Sequence, residues 1–180
     1  MFRVYIVLVI AVLIGADQLT KWLAVMQLQG ADPITVIPGV LSLAYTENTG
    51  AAWSMFSGQR WLLIGVTSLM IIGLLAVMMS GRYRRCVMAL IGGSLVVAGG
   101  IGNLVDRLYR GYVVDFIRTD FISFPIFNLA DCFVVIGAIT LFIYFVFIYS
   151  DEPKKSSKKE AVACEQNDTH RDDNGNGNEA

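Results

Sequence analysis

The sequence predicts an all-α membrane protein: four transmembrane helices, with a small β-sheet and loops on the outer membrane face. Three observations carry that expectation. Of the 180 residues, 55% are hydrophobic and the mean hydropathy is +0.58, too high for a soluble core of this size. The apolar residues come in runs of about twenty, the length that crosses a bilayer, rather than in narrow helical stripes. Charge is unevenly divided, with nine bases against seven acids in residues 1–150 and five bases against eight acids in 151–180.

The first run follows Arg3 and resembles a signal peptide, but no small-x-small cleavage site follows it. Apolar character resumes after Asp17 to Lys21, so one span over about 4–26 is expected. Asp17 precedes Lys21 by four residues, the favourable order for a helical ion pair. Residues 27–60 hold too many Gly and Pro residues for a span. Ile34 to Ile37 and Val40 to Tyr45, split by Pro38-Gly39, read as a short hairpin on the membrane surface. The loop Glu47-Asn48-Thr49-Gly50-Ala51-Ala52-Trp53-Ser54 follows, with small residues that permit close backbone approach.

A second span covers about 62–80, and Gly81-Arg82-Tyr83-Arg84-Arg85 is a basic turn that marks the cytoplasmic side. The third span, about 86–106, places Gly92, Gly99, Asn103 and Asp106 on one helical face, small at depth and polar at the outer end. Tyr112 to Ile117 and Phe121 to Phe127 read as extended pieces around a turn at Arg118 to Asp120. Pro125 delays helix entry, so the fourth span is placed at about 127–149, with Asn128 and Asp131 facing the same way in its first turn. The domain division is thus 1–150 for the transmembrane domain and 151–180 for a disordered cytoplasmic tail, whose Lys154, Lys155, Lys158 and Lys159 suit an anionic inner leaflet. Four spans put both termini in the cytoplasm.

An ionisable group beside hydrocarbon is costly, so its default reading is functional. Asp17, Asn48, Asn103, Asp106, Asp115, Asn128 and Asp131 are expected at one depth near the outer face. The three cysteines, Cys86, Cys132 and Cys164, show no metal-ligand spacing, and the single histidine, His170, is in the tail. No disulfide, metal or cofactor is expected. No basic face is left for nucleic acid. The chemistry open to such a site is carboxylate chemistry, in which an ionised aspartate takes a proton from water and a protonated one polarises a carbonyl. A proton-relaying transporter would instead spread its titratable groups through the depth of the bundle. A structural scaffold would explain the glycines but not the aspartates.

Five stretches in order, Asp17-Gln18-Leu19-Thr20-Lys21, Asn48-Thr49-Gly50-Ala51-Ala52-Trp53-Ser54, Gly102-Asn103-Leu104-Val105-Asp106-Arg107, Val113-Val114-Asp115-Phe116-Ile117 and Phe127-Asn128-Leu129-Ala130-Asp131, resemble the motifs of bacterial lipoprotein signal peptidase (signal peptidase II). The resemblance implies a membrane aspartic peptidase that cuts prolipoproteins just before a diacylglyceryl-modified cysteine. Asp115 and Asp131 fall on the family's catalytic pair. Asp17, Lys21, Asn48, Gly50, Asn103, Asp106, Arg107 and Asn128 fall on positions that hold substrate or orient the pair. Trp53 departs from the pattern, which more often has Phe there, and the tail lies outside the resemblance. The implied partners are lipidated prolipoproteins and membrane lipids, with a monomer as the working state. The implied location is the bacterial plasma (inner) membrane, with the active site near the outer face. Within the pair, the positive end of the fourth span favours the ionised form at Asp131 by about 0.3–2 kcal/mol, leaving Asp115 as the protonated partner.

Overall fold

The computed structural model describes residues 2–51, 55–81 and 86–148. Trp53, the basic turn at 82–85, Cys164 and the whole segment 151–180 lie outside the described residues. Four helices follow one another as α1 (Phe2–Leu28), α2 (Arg60–Met79), α3 (Val87–Tyr109) and α4 (Leu129–Ile143), the last continued by a π-helical stretch over Tyr144–Ile148. Each is long and apolar enough to cross a membrane. Their outward residues agree: Val12, Leu69, Met70 and Phe142 are among many large apolar side chains left exposed, an arrangement that suits lipid and not water. Residues up to Leu141 form one compact unit, and a second begins at Phe142.

Helix α3 is the central one, with Gly92, Gly93, Val97, Ala98, Gly99 and Gly102 buried along it. Lipid provides no hydrophobic drive between helices, so close packing of small residues has to hold them. The expected glycine stripe does this against α4. A Cβ on Gly92 would stand 3.0 Å from the Gly137 carbonyl, one on Gly137 would stand 2.6 Å from the Gly92 carbonyl, and one on Gly99 would run into the Ala130 carbonyl. Gly99→Ala therefore has to push the start of α4 away, at about 1–3 kcal/mol for overpacking. The expected result is a lower thermal midpoint in detergent. Gly73→Ala in α2, where nothing lies within 4 Å, leaves the midpoint unchanged or raises it.

The polar segments between the helices build a three-stranded antiparallel sheet in the order β1 (Ile34–Ile37), β2 (Leu41–Asn48), β3 (Val113–Thr119). Gly39, at φ +70°, makes the hairpin turn between β1 and β2. Val114 and Phe116 pack on Ala24 and Leu28 of α1. Strand alternation therefore turns Asp115 to the other face.

Helix α1 is two residues longer at each end than expected, α2 starts two residues earlier and α3 runs three residues further, to Tyr109; three other boundaries differ for a long-range reason. Strand β2 runs on to Asn48 because Glu47 and Asn48 pair with Val114 and Val113. Strand β3 runs straight through the expected turn at Arg118, because Arg118 and Thr119 pair with Ser42 and Leu41, and Asp120 accepts the Ser42 hydroxyl proton while donating its N–H to the Val40 carbonyl. Residues 121–127 are then irregular apart from Phe127, which bridges to Ile117. The same bridge takes up both backbone groups of Phe127, so α4 starts at Leu129, two residues later than expected.

Candidate active site

The first turn of α4 is fixed by a reciprocal cap. Asn128 stands just before the helix and accepts the Asp131 N–H on its Oδ1 at 3.0 Å, while Asp131 Oδ2 accepts the Asn128 N–H at 3.1 Å. This is a capping box with Asp in the place of Glu. It holds the Asp131 carboxylate in one orientation through its own backbone. The next free amide, Ala130 N–H, is taken by Asp17 Oδ1 at 2.9 Å, so a carboxylate from α1 sits against the positive end of α4.

Asp115 reaches the same place from β3. Its Oδ1 accepts Asn128 Nδ2 at 2.6 Å and its Oδ2 accepts Asn48 Nδ2 at 2.9 Å. Asn103 Nδ2 from α3 donates to Asp131 Oδ1 at 2.8 Å. The two carboxylates thus share Asn128 as a neighbour, one through its side chain and the other through its backbone. Burial dominates at Asp115: desolvation pushes its carboxyl up to about 6, with the Asp131 charge pushing the same way and donation from Asn48 and Asn128 opposing it.

Behind the pair lies a dry ionic cluster. Lys21, fully buried, reaches Asp17 Oδ2 at 3.0 Å, Asp106 Oδ2 at 3.1 Å and Asn103 Oδ1 at 2.8 Å, which uses all three of its N–H donors. Asp106 Oδ2 also accepts the Val114 N–H at 3.2 Å, tying α3 to the residue before Asp115. Arg107 NH2 donates to the Gly50 carbonyl at 2.7 Å, and the Gly50 N–H returns to Asn48 Oδ1 at 2.9 Å. Arg107 Nε is buried without a partner. The structure thus gathers all ten residues singled out from the sequence: Asp17, Lys21, Asn48, Gly50, Asn103, Asp106, Arg107, Asp115, Asn128 and Asp131. Among the described residues no group of His, Cys, Asp and Glu is arranged to hold a metal ion.

A family model described as Signal peptidase (SPase) II matches residues 9–147. The chain belongs to the signal peptidase II family. That family is one of aspartic peptidases, and every residue of the cluster falls inside the matched range. The chain is 40% identical over 139 residues to a lipoprotein signal peptidase of Enterococcus faecalis, covering 77% of this chain and 86% of that protein. It is 42% identical over 135 residues to one of Lactococcus lactis, covering 75% and 89%. Two solved structures described as bacterial membrane enzymes match the fold, both at TM-score 0.72. One is 31% identical and covers 79% of this chain and 87% of that one; the other is 32% identical and covers 80% and 94%.

Three contributors to this signal peptidase II site were given no role by sequence reasoning. Gly102 faces Asp17, whose carboxylate occupies the space a Cβ would need. Gln18 Nε2 donates to the Gly102 carbonyl at 3.1 Å and to Asp17 Oδ2 at 3.2 Å. Arg60, at the start of α2, donates through Nε to the Arg107 carbonyl at 2.6 Å and through NH2 to the Leu108 carbonyl at 2.8 Å. It thereby satisfies carbonyls that the last turn of α3 would otherwise leave open. Gly102 and Gln18 stand inside the first and third motif stretches, so their positions carried a signal. Nothing local marks Arg60.

Proposed function

We propose that Asp115 and Asp131 are the reacting pair of a membrane aspartic endopeptidase that removes signal peptides from prolipoproteins, cleaving just before a diacylglyceryl-modified cysteine. The observation that carries this reading is the placement of two carboxylates around one asparagine, one of them raised to about 6 by burial. Such a pair holds one proton between two groups. Asp131, ionised, takes a proton from water as that water attacks the scissile carbonyl carbon. Asp115 gives its proton to the carbonyl oxygen. The tetrahedral intermediate then collapses: the C–N bond breaks as the nitrogen gains a proton from Asp131, and Asp115 recovers its own from the hydroxyl. Arg107 and Asn48 hold the loop at Gly50 beside the pair, one through the Gly50 carbonyl and the other through its N–H.

The substrate is a lipidated prolipoprotein reaching the site from the bilayer, and lipids surround the four spans. The working unit is a monomer, since all ten site residues come from one chain. The test is cleavage by the purified enzyme of matched precursors with and without diacylglycerol on the cysteine. Cleavage of the lipidated form alone supports the reading; equal cleavage of both rejects the lipid requirement.

The orientation puts both termini in the cytoplasm of a bacterial plasma membrane and the sheet on the outer face, on the strength of the basic residues at 82–85 and 154–159. Ser57 and Ser123 are both exposed and lie in the two segments, 27–60 and 107–126, that this orientation turns outward. A cysteine at either position is expected to react with an impermeant thiol reagent in intact cells. Reaction only after permeabilisation would reverse the topology.

A further inference from the structure

The carboxylates of the site divide into two kinds. Lys21 bridges Asp17 at 3.0 Å and Asp106 at 3.1 Å, and Arg110 reaches Asp106 at 3.5 Å. Asp115 and Asp131 are different: among the described residues no Lys or Arg nitrogen comes within 4.0 Å of either. Their four oxygens accept instead from neutral amides, those of Asn48, Asn103 and both the side chain and the backbone of Asn128. The groups that face the pair are Asp17 and Lys21 from α1, Asp106, Arg107 and Arg110 from α3, and the Cys132 thiol from α4. Strand β2 brings only the neutral Asn48, since Glu47 is turned to Tyr45 on the other face. On β3, Arg118 is taken by Asp120. Four carboxylates (Asp17, Asp106, Asp115, Asp131) thus stand among three cations (Lys21, Arg107, Arg110). The cluster is neutral when the pair holds one proton, and short of one positive charge when it holds none.

Cleavage itself supplies the missing charge. In the reaction proposed above, the nitrogen of the broken C–N bond takes its proton from Asp131, so the new N-terminal amine is formed in contact with the pair. A free α-amino group titrates at about 7.7–8.0, above the value of about 6 to which burial raises Asp115. Burial alone would lower the amine's value, but two adjacent negative charges raise it. The amine is therefore the stronger base and takes up the proton that the pair retains. That proton leaves a carboxyl oxygen and arrives on nitrogen, so an ammonium then faces two ionised carboxylates. We infer that the α-ammonium of the cleaved lipoprotein is a ligand of the ionised pair, and that the enzyme is inhibited by its own product until the pair regains a proton. This rests on Asp115 and Asp131 being the reacting pair. The uncleaved precursor has a neutral amide at the same nitrogen and gains nothing from the charge. Below about 6 the pair keeps its proton, and above about 8 the amine is neutral. Between those limits enzyme and product carry complementary charges.

The test measures binding to the purified full-length wild-type enzyme in detergent. The probe is a labelled peptide that begins with diacylglyceryl-cysteine, compared with the same peptide acetylated on its α-nitrogen. Both carry the same lipid, and the acetylated one resembles the uncleaved amide in shape. At pH 7 the free-amine peptide is expected to bind at least about 10-fold tighter, because the acetylated form lacks one side of a desolvated charge pair. At pH 5, where the pair retains its proton, and at pH 9, where the amine is neutral, that ratio is expected to fall by at least about threefold. Equal affinities at pH 7, or a ratio that stays constant from pH 5 to pH 9, would mean that lipid and shape alone hold the product, and would overturn the inference. Failure of the underlying reading shows elsewhere, as undiminished turnover of a lipidated precursor by Asp115→Asn or Asp131→Asn.

Discussion

Asp115→Asn and Asp131→Asn are each expected to reduce cleavage of a lipidated precursor by at least about 10³-fold, because the two groups act as a unit and amide side chains exchange no proton. The fold should survive both changes. Asn at 131 keeps an oxygen for the Asn128 N–H and so keeps the capping box, but its Nδ2 then faces the Asn103 Nδ2 donor. Asn at 115 meets two donors, Asn48 Nδ2 and Asn128 Nδ2, with only one oxygen. Each mismatch costs about 1–3 kcal/mol, so both variants are expected to melt below the wild type while remaining folded. Both are expected to bind the lipidated precursor, since neither change touches the lipid-facing surface. Retention of more than about a tenth of wild-type turnover by either would place the chemistry on another carboxylate, with Asp106 the next to examine.

Lys21→Met is expected to produce the largest loss of stability of any single change in the cluster. It leaves Asp17 and Asp106 buried at 0% and 1% side-chain exposure without the cation between them. Breaking a buried ion pair from one side costs about 3–5 kcal/mol, more than the pair itself contributes, because the remaining charge has no water to return to. In the expected outcome, little folded Lys21→Met enzyme is recovered from membranes. Asp17→Asn/Lys21→Gln is expected to recover much more, since the charges leave together and Asn at position 17 can still accept the Ala130 N–H. Equal recovery of the two variants would mean that the cluster is wetter than its burial shows.

The spans were legible in the sequence because lipid imposes a simple rule: twenty apolar residues and no unsatisfied backbone. The site was legible for a related reason. Asp17, Asn103, Asp106, Asp115, Asn128 and Asp131 stand out only because charge is expensive in that company, and helical spacing put Asn103 with Asp106 and Asn128 with Asp131. What local pattern could not supply was the pairing that competes with it. Ile126 and Phe127 extend the apolar run of the fourth span, yet Phe127 spends its N–H and carbonyl on β3, and the helix waits for Asn128. Arg118 to Asp120 read as a turn by composition, but β2 lies alongside and continues the ladder. Arg60 is 47 residues from the carbonyl it caps, and no periodicity reaches that far. The resemblance to signal peptidase II motifs identified which carboxylates to watch.

The pH dependence of kcat/KM for the wild-type enzyme tests the shared proton most directly. Below the lower limb both carboxyls are protonated and no base remains for water. Above the upper limb both are ionised and no acid remains for the carbonyl oxygen. Burial raises Asp115 to about 6, so the pair is expected to lose its shared proton, and activity to fall, as pH rises past that region. The two limbs belong to the pair and not to either residue alone. A bell-shaped profile with its descending limb within about one unit of that value is the predicted result. A profile that rises once and holds a plateau to pH 9, as a single ionised base would give, would contradict catalysis by a proton-sharing pair.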